Sequence, residues 1–153
     1  MTADRSEAAS AAATSGGPML AGEVIATDFA DWSPGLREEF RRNERNYRVG
    51  GRLLSEDSRV KVWEIRLAPG DRLPAHRHVL DYFWTVLTPG ESLQHNADGT
   101  TRRVSYQAGQ TRHYTFGVDD FMLHDLNNVG DSELIFITVE HQRAPGEPGP
   151  RQV

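Results

Sequence analysis

The sequence predicts an all-β domain, a sandwich or closed antiparallel barrel with one short helix near its N-terminus. Three observations lead there. Short runs in which apolar and polar residues alternate follow one another from Arg48 to Glu140, the period of two that half-buried strands require. Turn-forming pairs separate them, among them Pro69-Gly70, Pro89-Gly90, Asp98-Gly99 and Gly130-Asp131. No helical pattern alternates with the strands, which disfavours a doubly wound parallel sheet.

Residues 1–18, MTADRSEAASAAATSGGP, have no bulky apolar residue after Met1. Such a segment cannot bury enough surface to offset its ordering entropy, and it is read as a disordered tail. Residues 19–50 form an N-terminal strand and helix expected to pack on the outside of the domain or against a second subunit. The strand is placed at Met19–Thr27. The helix starts where Ser33 can cap it and Pro34 fills its first position. Leu36, Phe40 and Tyr47 give it a thin apolar stripe, and Gly50-Gly51 ends it.

Residues 51–143 are the barrel proper, with strands expected near 48–54, 59–67, 80–87, 91–96, 102–107, 111–116, 120–126 and 133–140. Residues 144–153 are Pro/Gly-rich and read as a loose tail.

Composition closes off several functions. The chain has 153 residues and a formal charge of −5, with Lys61 its only lysine. Its arginines alternate with acids such as Glu38, Glu39 and Glu44, so no basic nucleic-acid footprint exists. There is no cysteine, hence no disulfide and no thiolate ligand. No apolar run reaches the roughly 18 residues of a membrane helix, and no secretory signal is evident. A cytoplasmic protein without nucleic-acid or membrane partners is expected.

Six histidines stand at 76, 78, 95, 113, 124 and 141. In the extended run His76-Arg77-His78 both imidazoles point the same way. A third ring from another strand would complete a metal site, and His124 in FMLHDL is the best candidate. The competing reading is a pair of surface histidines in a loop beginning at Pro74. His113 can line the same cavity as ligand or proton carrier, or stand half-exposed on a strand. His95 is expected to be exposed near the Asn96–Gly99 turn, and His141 to be structural. Tyr82 and Trp84 share one strand face and would form an aromatic wall, with the Tyr82 phenol able to donate a hydrogen bond; for Trp84 core packing is the better reading. Glu64 and Arg66 either edge the pocket or face solvent.

The run Gly70 to His78, followed by an aromatic-aliphatic strand ending at Gly90, resembles the first cupin motif. Gly109, Gly117 and His124-Asp125-Leu126-Asn127-Asn128 resemble the second, and together they span roughly residues 59–141. The resemblance implies a small cupin: an antiparallel β-barrel of double-stranded β-helix or jelly-roll type. It implies one divalent metal ion on His76, His78 and His124, and a homodimer.

Two departures from the family pattern matter. The usual glutamate is missing, its two spacings landing on Tyr82 and Phe83. Asp81, one residue early, is a candidate fourth ligand only if a bulge turns it inward. The proline of the second motif is also absent. An all-imidazole set with open positions suits Fe²⁺, Zn²⁺, Ni²⁺, Mn²⁺ or Cu²⁺ alike, and Fe²⁺ is favoured only through the oxygenase chemistry that the resemblance implies. The function implied is a metal-dependent enzyme on a small organic substrate, oxygenase chemistry first, with Tyr82 and His113 as candidate catalytic residues. The alternatives are a zinc-type Lewis-acid cyclase or isomerase, or a non-catalytic cupin that binds or senses a small ligand.

Overall fold

The computed structural model describes residues 18–143. The sequence expectations for residues 1–17 and 144–153 lie outside the described residues.

Two five-stranded antiparallel sheets face one another. The elements in chain order are β1 (Glu23–Ala26), α1 (Pro34–Arg42), β2 (Arg52–Glu56), β3 (Val60–Leu67), β4 (Arg72–His78), β5 (Tyr82–Val86), β6 (Gly90–His95), β7 (Thr101–Tyr106), β8 (Thr111–Tyr114), β9 (Met122–Asn128) and β10 (Leu134–His141). The first sheet has the order β1-β7-β6-β9-β4 and the second β2-β3-β10-β5-β8.

The expected closed barrel is corrected here: among the described residues no backbone ladder joins the two sheets. One opening lies beside β7 and β8, and the segment Pro18–Gly22 runs through it. Its carbonyls at Leu20 and Gly22 accept from Arg102 Nη1 at 3.5 Å, and that of Met19 accepts from Arg112 Nη2 at 3.2 Å. Side chains and a passing irregular segment thus occupy the place of a closing ladder.

Inward-facing residues divide the gap between the sheets into two halves. One is apolar, with Ile65, Leu67, Val86, Leu126, Leu134 and Phe136 in a single cluster. Val86 and Leu134 are fully buried, each contributing about 1.5–3 kcal/mol by removal from water. Trp84 belongs to this core, its ring edge-on to Tyr106 and Phe136. The other half holds Tyr82, Tyr114, Phe116 and Met122, with Leu20 packed against them.

Helix α1 begins as expected, the Ser33 hydroxyl accepting from Leu36 N at 3.1 Å. It ends at Arg42 with Asn43 as its C-cap, eight residues before the glycine pair expected to stop it. Phe40 and the preceding Trp32 pack on Ala75 and Leu123, on the outer face of the first sheet. Gly50 serves a different purpose: a Cβ there would stand 2.5 Å from Trp63 Cβ.

Strand β4 is the element that the sequence reading did not place. Its residues RLPAHRH lack apolar alternation. It also carries a bulge: Leu73 pairs with Leu126 and His76 with His124, so three steps on β4 match two on β9. Pro74, with no N–H to offer a ladder, falls within it.

Candidate metal centre

The bulge determines where the histidines point. Leu73 packs on the inner core and Ala75 on the outer cluster. The extra residue shifts the alternation, so that His76 and His78 face inward, where an unbroken strand would turn them out. Residues of α1 and its C-terminal extension satisfy the bulge's backbone. Ala75 N donates to Glu39 Oε2 at 2.9 Å, and Ala75 O accepts from the side-chain amides of Asn43 and Asn46, both at 3.0 Å.

On β9, His124 lies directly across from His76. The three rings converge, with centroids 5.0 Å apart for His76 and His78, 4.7 Å for His76 and His124, and 5.1 Å for His78 and His124. One nitrogen of each lies within 4.8 Å of the others. All three residues are buried.

Hydrogen bonds fix two tautomers. His76 Nδ1 donates to Pro74 O at 2.8 Å and His124 Nδ1 donates to Gln94 Oε1 at 2.7 Å, leaving each Nε2 as a lone pair. His124 Nε2 and His78 Nδ1 are buried without a hydrogen-bond partner. Leaving a buried polar atom unsatisfied costs about 1–3 kcal/mol. Two such atoms in a three-histidine cluster are the mark of a set shaped for a ligand, and a divalent ion fits it. Burial lowers all three ring pKa values from the ordinary 6.5. His76 and His124 depress His78 further, and His76 does the same to His124. The rings are therefore neutral near pH 7 and able to ligate.

Tyr82 covers this cluster. Its ring stacks on His78 at 4.1 Å and 9°, with Tyr114 stacked on it at 4.8 Å and 8°. Its hydroxyl donates to Met122 Sδ at 3.9 Å, and burial holds the phenol well above its ordinary pKa. Around the rings, residues of both sheets leave a cavity of about 30 Å³, the space of roughly one water molecule.

The structure takes the second of the alternatives that the sequence leaves open for His113 and for Asp81, and it corrects the expected exposure of His95. His113 faces outward, because its neighbour Tyr114 is buried and alternation turns His113 to solvent, where its ring meets Phe83 at 5.2 Å. Asp81 does not join the histidines: its carboxylate accepts from Phe116 N at 2.8 Å and pins that loop. His95 is half-buried, its Nδ1 2.9 Å from Asp125 Oδ2. Glu64 and Arg66 form an ion pair at 3.5 Å, Arg66 on the exposed side of β3.

Two residues of the site region went unnoticed in the sequence. Gln94 holds His124, and its own amide donates to Tyr106 Oη at 3.3 Å, which shares a hydrogen bond with Ser92 Oγ at 2.7 Å. The signal was there: Ser92 and Gln94 alternate with Leu93, a polar face running along β6. Glu140 is the cross-strand partner of Tyr82. It is buried and accepts from Trp63 Nε1 at 2.9 Å, and burial raises its pKa.

Behind His124, Asp125 is fully buried on the outer face. It accepts from Arg72 Nη2 at 2.9 Å and from His95 N at 2.8 Å. Arg72 is bidentate on Glu39, at 2.7 and 2.9 Å. Burial pushes the Asp125 carboxyl up, but His95 and Arg72 together outweigh it and leave it lowered.

No family model matches the sequence and no curated protein matches it. Solved structures do. A cupin domain from Bordetella pertussis Tohama I is 26% identical, covering 65% of this chain and 97% of its own, with a TM-score of 0.54. An uncharacterised conserved protein with a double-stranded β-helix domain from Klebsiella pneumoniae is 25% identical over 69% of this chain and 88% of its own, at 0.47. An RmlC-like cupin family protein from Methanocaldococcus jannaschii is 19% identical over 60% and 77%, at 0.49. Among the described residues, no helix is long and apolar enough to cross a membrane.

Proposed function

We propose that this chain, whose fold is the double-stranded β-helix of the cupins, is a metal-dependent enzyme acting on a small organic molecule, with oxygen chemistry on iron as the first reading. The observation that carries the proposal is the convergence of three buried, neutral imidazoles, two of which have a ring nitrogen with no other partner. A divalent ion held there supplies open coordination positions for O₂ and a chelating substrate, or polarises a carbonyl oxygen.

The chain's own residues do the rest. Pro74 O and the Gln94 amide hold the His76 and His124 rings in the ligating tautomer. Tyr82 and Tyr114 wall the cluster off from bulk water. One observation favours a second reading, non-redox chemistry of the cyclase or isomerase kind. No carboxylate joins the ligand set among the described residues, so a bound ion keeps its full double charge and polarises oxygen more strongly.

Metal analysis of protein purified without added metal tests the proposal. Iron together with O₂ uptake supports the first reading, and zinc without uptake supports the second. A protein that retains no metal and takes up none of these ions at micromolar concentration sinks both.

A further inference from the structure

Above the opening between the sheets lies a cleft of about 440 Å³, within the usual range for small-molecule sites. Its walls include Leu20, Phe121, Met122 and Leu123, and its charged members are Arg102 and Asp98. Met122 also receives the Tyr82 hydroxyl, so the cleft backs onto the aromatic cover of the histidines.

Arg102 and Arg112 stand on the inner faces of opposite sheets, paired across their ladders with Gln94 and Trp84. Among the described residues neither guanidinium bonds a carboxylate. Arg102 reaches the carbonyls of Leu20 and Gly22 at 3.5 Å and the Thr100 hydroxyl at 3.3 Å. Arg112 reaches Met19 O and lies over the Tyr114 ring at 5.3 Å, with its Nε buried and unpartnered. Each repels the other, and among the described residues Asp98 is the one carboxylate whose field reaches Arg102. Asp98 is itself engaged by the N–H and hydroxyl of Thr100, at 2.9 and 2.6 Å. Among the described residues, these two half-buried cations beside an apolar cleft are held by neutral oxygens and have no carboxylate bonded to them.

We propose that the cleft binds a small organic anion, its carboxylate or phosphate on Arg102 with Arg112 as the second positive charge, and its apolar body against Phe121 and Leu123. This names the charge of the substrate class left open above, and it rests on the metal reading only for the link to the histidines. Gln94 provides that link, being the cross-strand partner of Arg102 and the hydrogen-bond partner of His124.

Calorimetric titration of the full chain with benzoate, phenyl phosphate and neutral benzamide tests it. Benzoate or phenyl phosphate is expected to saturate at least tenfold more tightly than benzamide, and the better of the two identifies the anion. Arg102→Gln is expected to weaken that anion at least tenfold and Arg112→Gln several-fold, while Arg103→Gln, on the exposed face of the same strand, leaves it within twofold. If Arg102→Gln does not fold, Arg102→Lys replaces it, with a several-fold loss expected because the fork is gone and the charge kept. Equal binding of benzoate and benzamide, or no saturable binding of either anion, overturns the proposal. So does binding that survives Arg102→Gln and Arg112→Gln but disappears in His124→Ala, since that places the anion on the metal. Failure of anion binding in protein that still retains metal leaves the reading of the centre intact.

Discussion

His124 donates from Nδ1 to Gln94 Oε1 at 2.7 Å, and this bond decides which ring nitrogen faces the other two histidines. Gln94 is itself oriented by Tyr106, so the histidine's tautomer is held by a chain of two side chains on β6 and β7.

Gln94→Leu removes that bond at nearly constant volume. Outer partners of metal-bound histidines are typically worth 10–100-fold in affinity. Competition with a chromophoric chelator is expected to show a loss of about that size, with an unchanged far-UV spectrum. Affinity unchanged within twofold would mean that the ring needs no such support.

His124→Ala and Asp81→Ala separate ligand from scaffold. His124→Ala is expected to abolish metal retention and to leave the metal-free fold intact, because it also removes an unsatisfied buried nitrogen. Asp81→Ala is expected to keep the metal and to lose about 1–3 kcal/mol of stability, since Phe116 N loses its charged acceptor. Metal content after dialysis and urea denaturation read the two effects independently.

The legible part of the centre was the part that strand geometry alone dictates. In His76-Arg77-His78 the spacing puts two rings on one face, and the H-x-x-x-N run placed His124 within reach of them. What alternation could not supply was parity. The bulge at Pro74 resets it on β4, so a segment that reads as a loop is a strand with its imidazoles inward. On β6 and β10 the inward positions carry Ser92, Gln94, Thr138 and Glu140, so a rule that sends polar residues outward inverts the faces at the places where the site needs hydrogen bonds. For His113 and Asp81 the same alternation was legible, and the sequence reading had left the outward direction open for both. Each lies one residue from an inward tyrosine, and a single step on a strand points the other way.

Acid is expected to destabilise the metal-free protein. The three buried histidines have folded pKa values below the ordinary 6.5, so below about 6.5 the unfolded chain binds protons that the folded chain refuses. Stability is therefore lost as pH falls through that window. His95 works in the opposite sense. Burial alone would lower it, but its bond to Asp125 outweighs that and raises it, so its contribution is present in acid and lost as pH rises through its folded value. Thermal melts of chelator-treated protein are expected to fall on acidification from about pH 7, and more steeply in His95→Asn. A flat profile would mean that the three rings protonate without cost.

Glu39 on α1 is expected to control both stability and the centre, although it touches no histidine. Its carboxylate takes the N–H of Ala75 in the bulge and both arms of Arg72, which in turn neutralises the fully buried Asp125. Glu39→Ala releases the bulge and leaves Arg72 tied to Asp125 alone. Removing one partner from such a network costs about 3–5 kcal/mol when buried, and roughly 2–3 kcal/mol is expected here because Arg72 is partly exposed. Glu39→Gln keeps an oxygen for Ala75 N and is expected to lose less. The diagnostic is metal affinity. A bulge that aims His76 and His78 must lose metal affinity when its backbone is freed, and must regain most of it in Glu39→Gln. If urea denaturation shows the stability loss while chelator competition shows wild-type affinity in Glu39→Ala, the bulge holds its shape without the helix, and the aim of the two histidines is set by β9 alone.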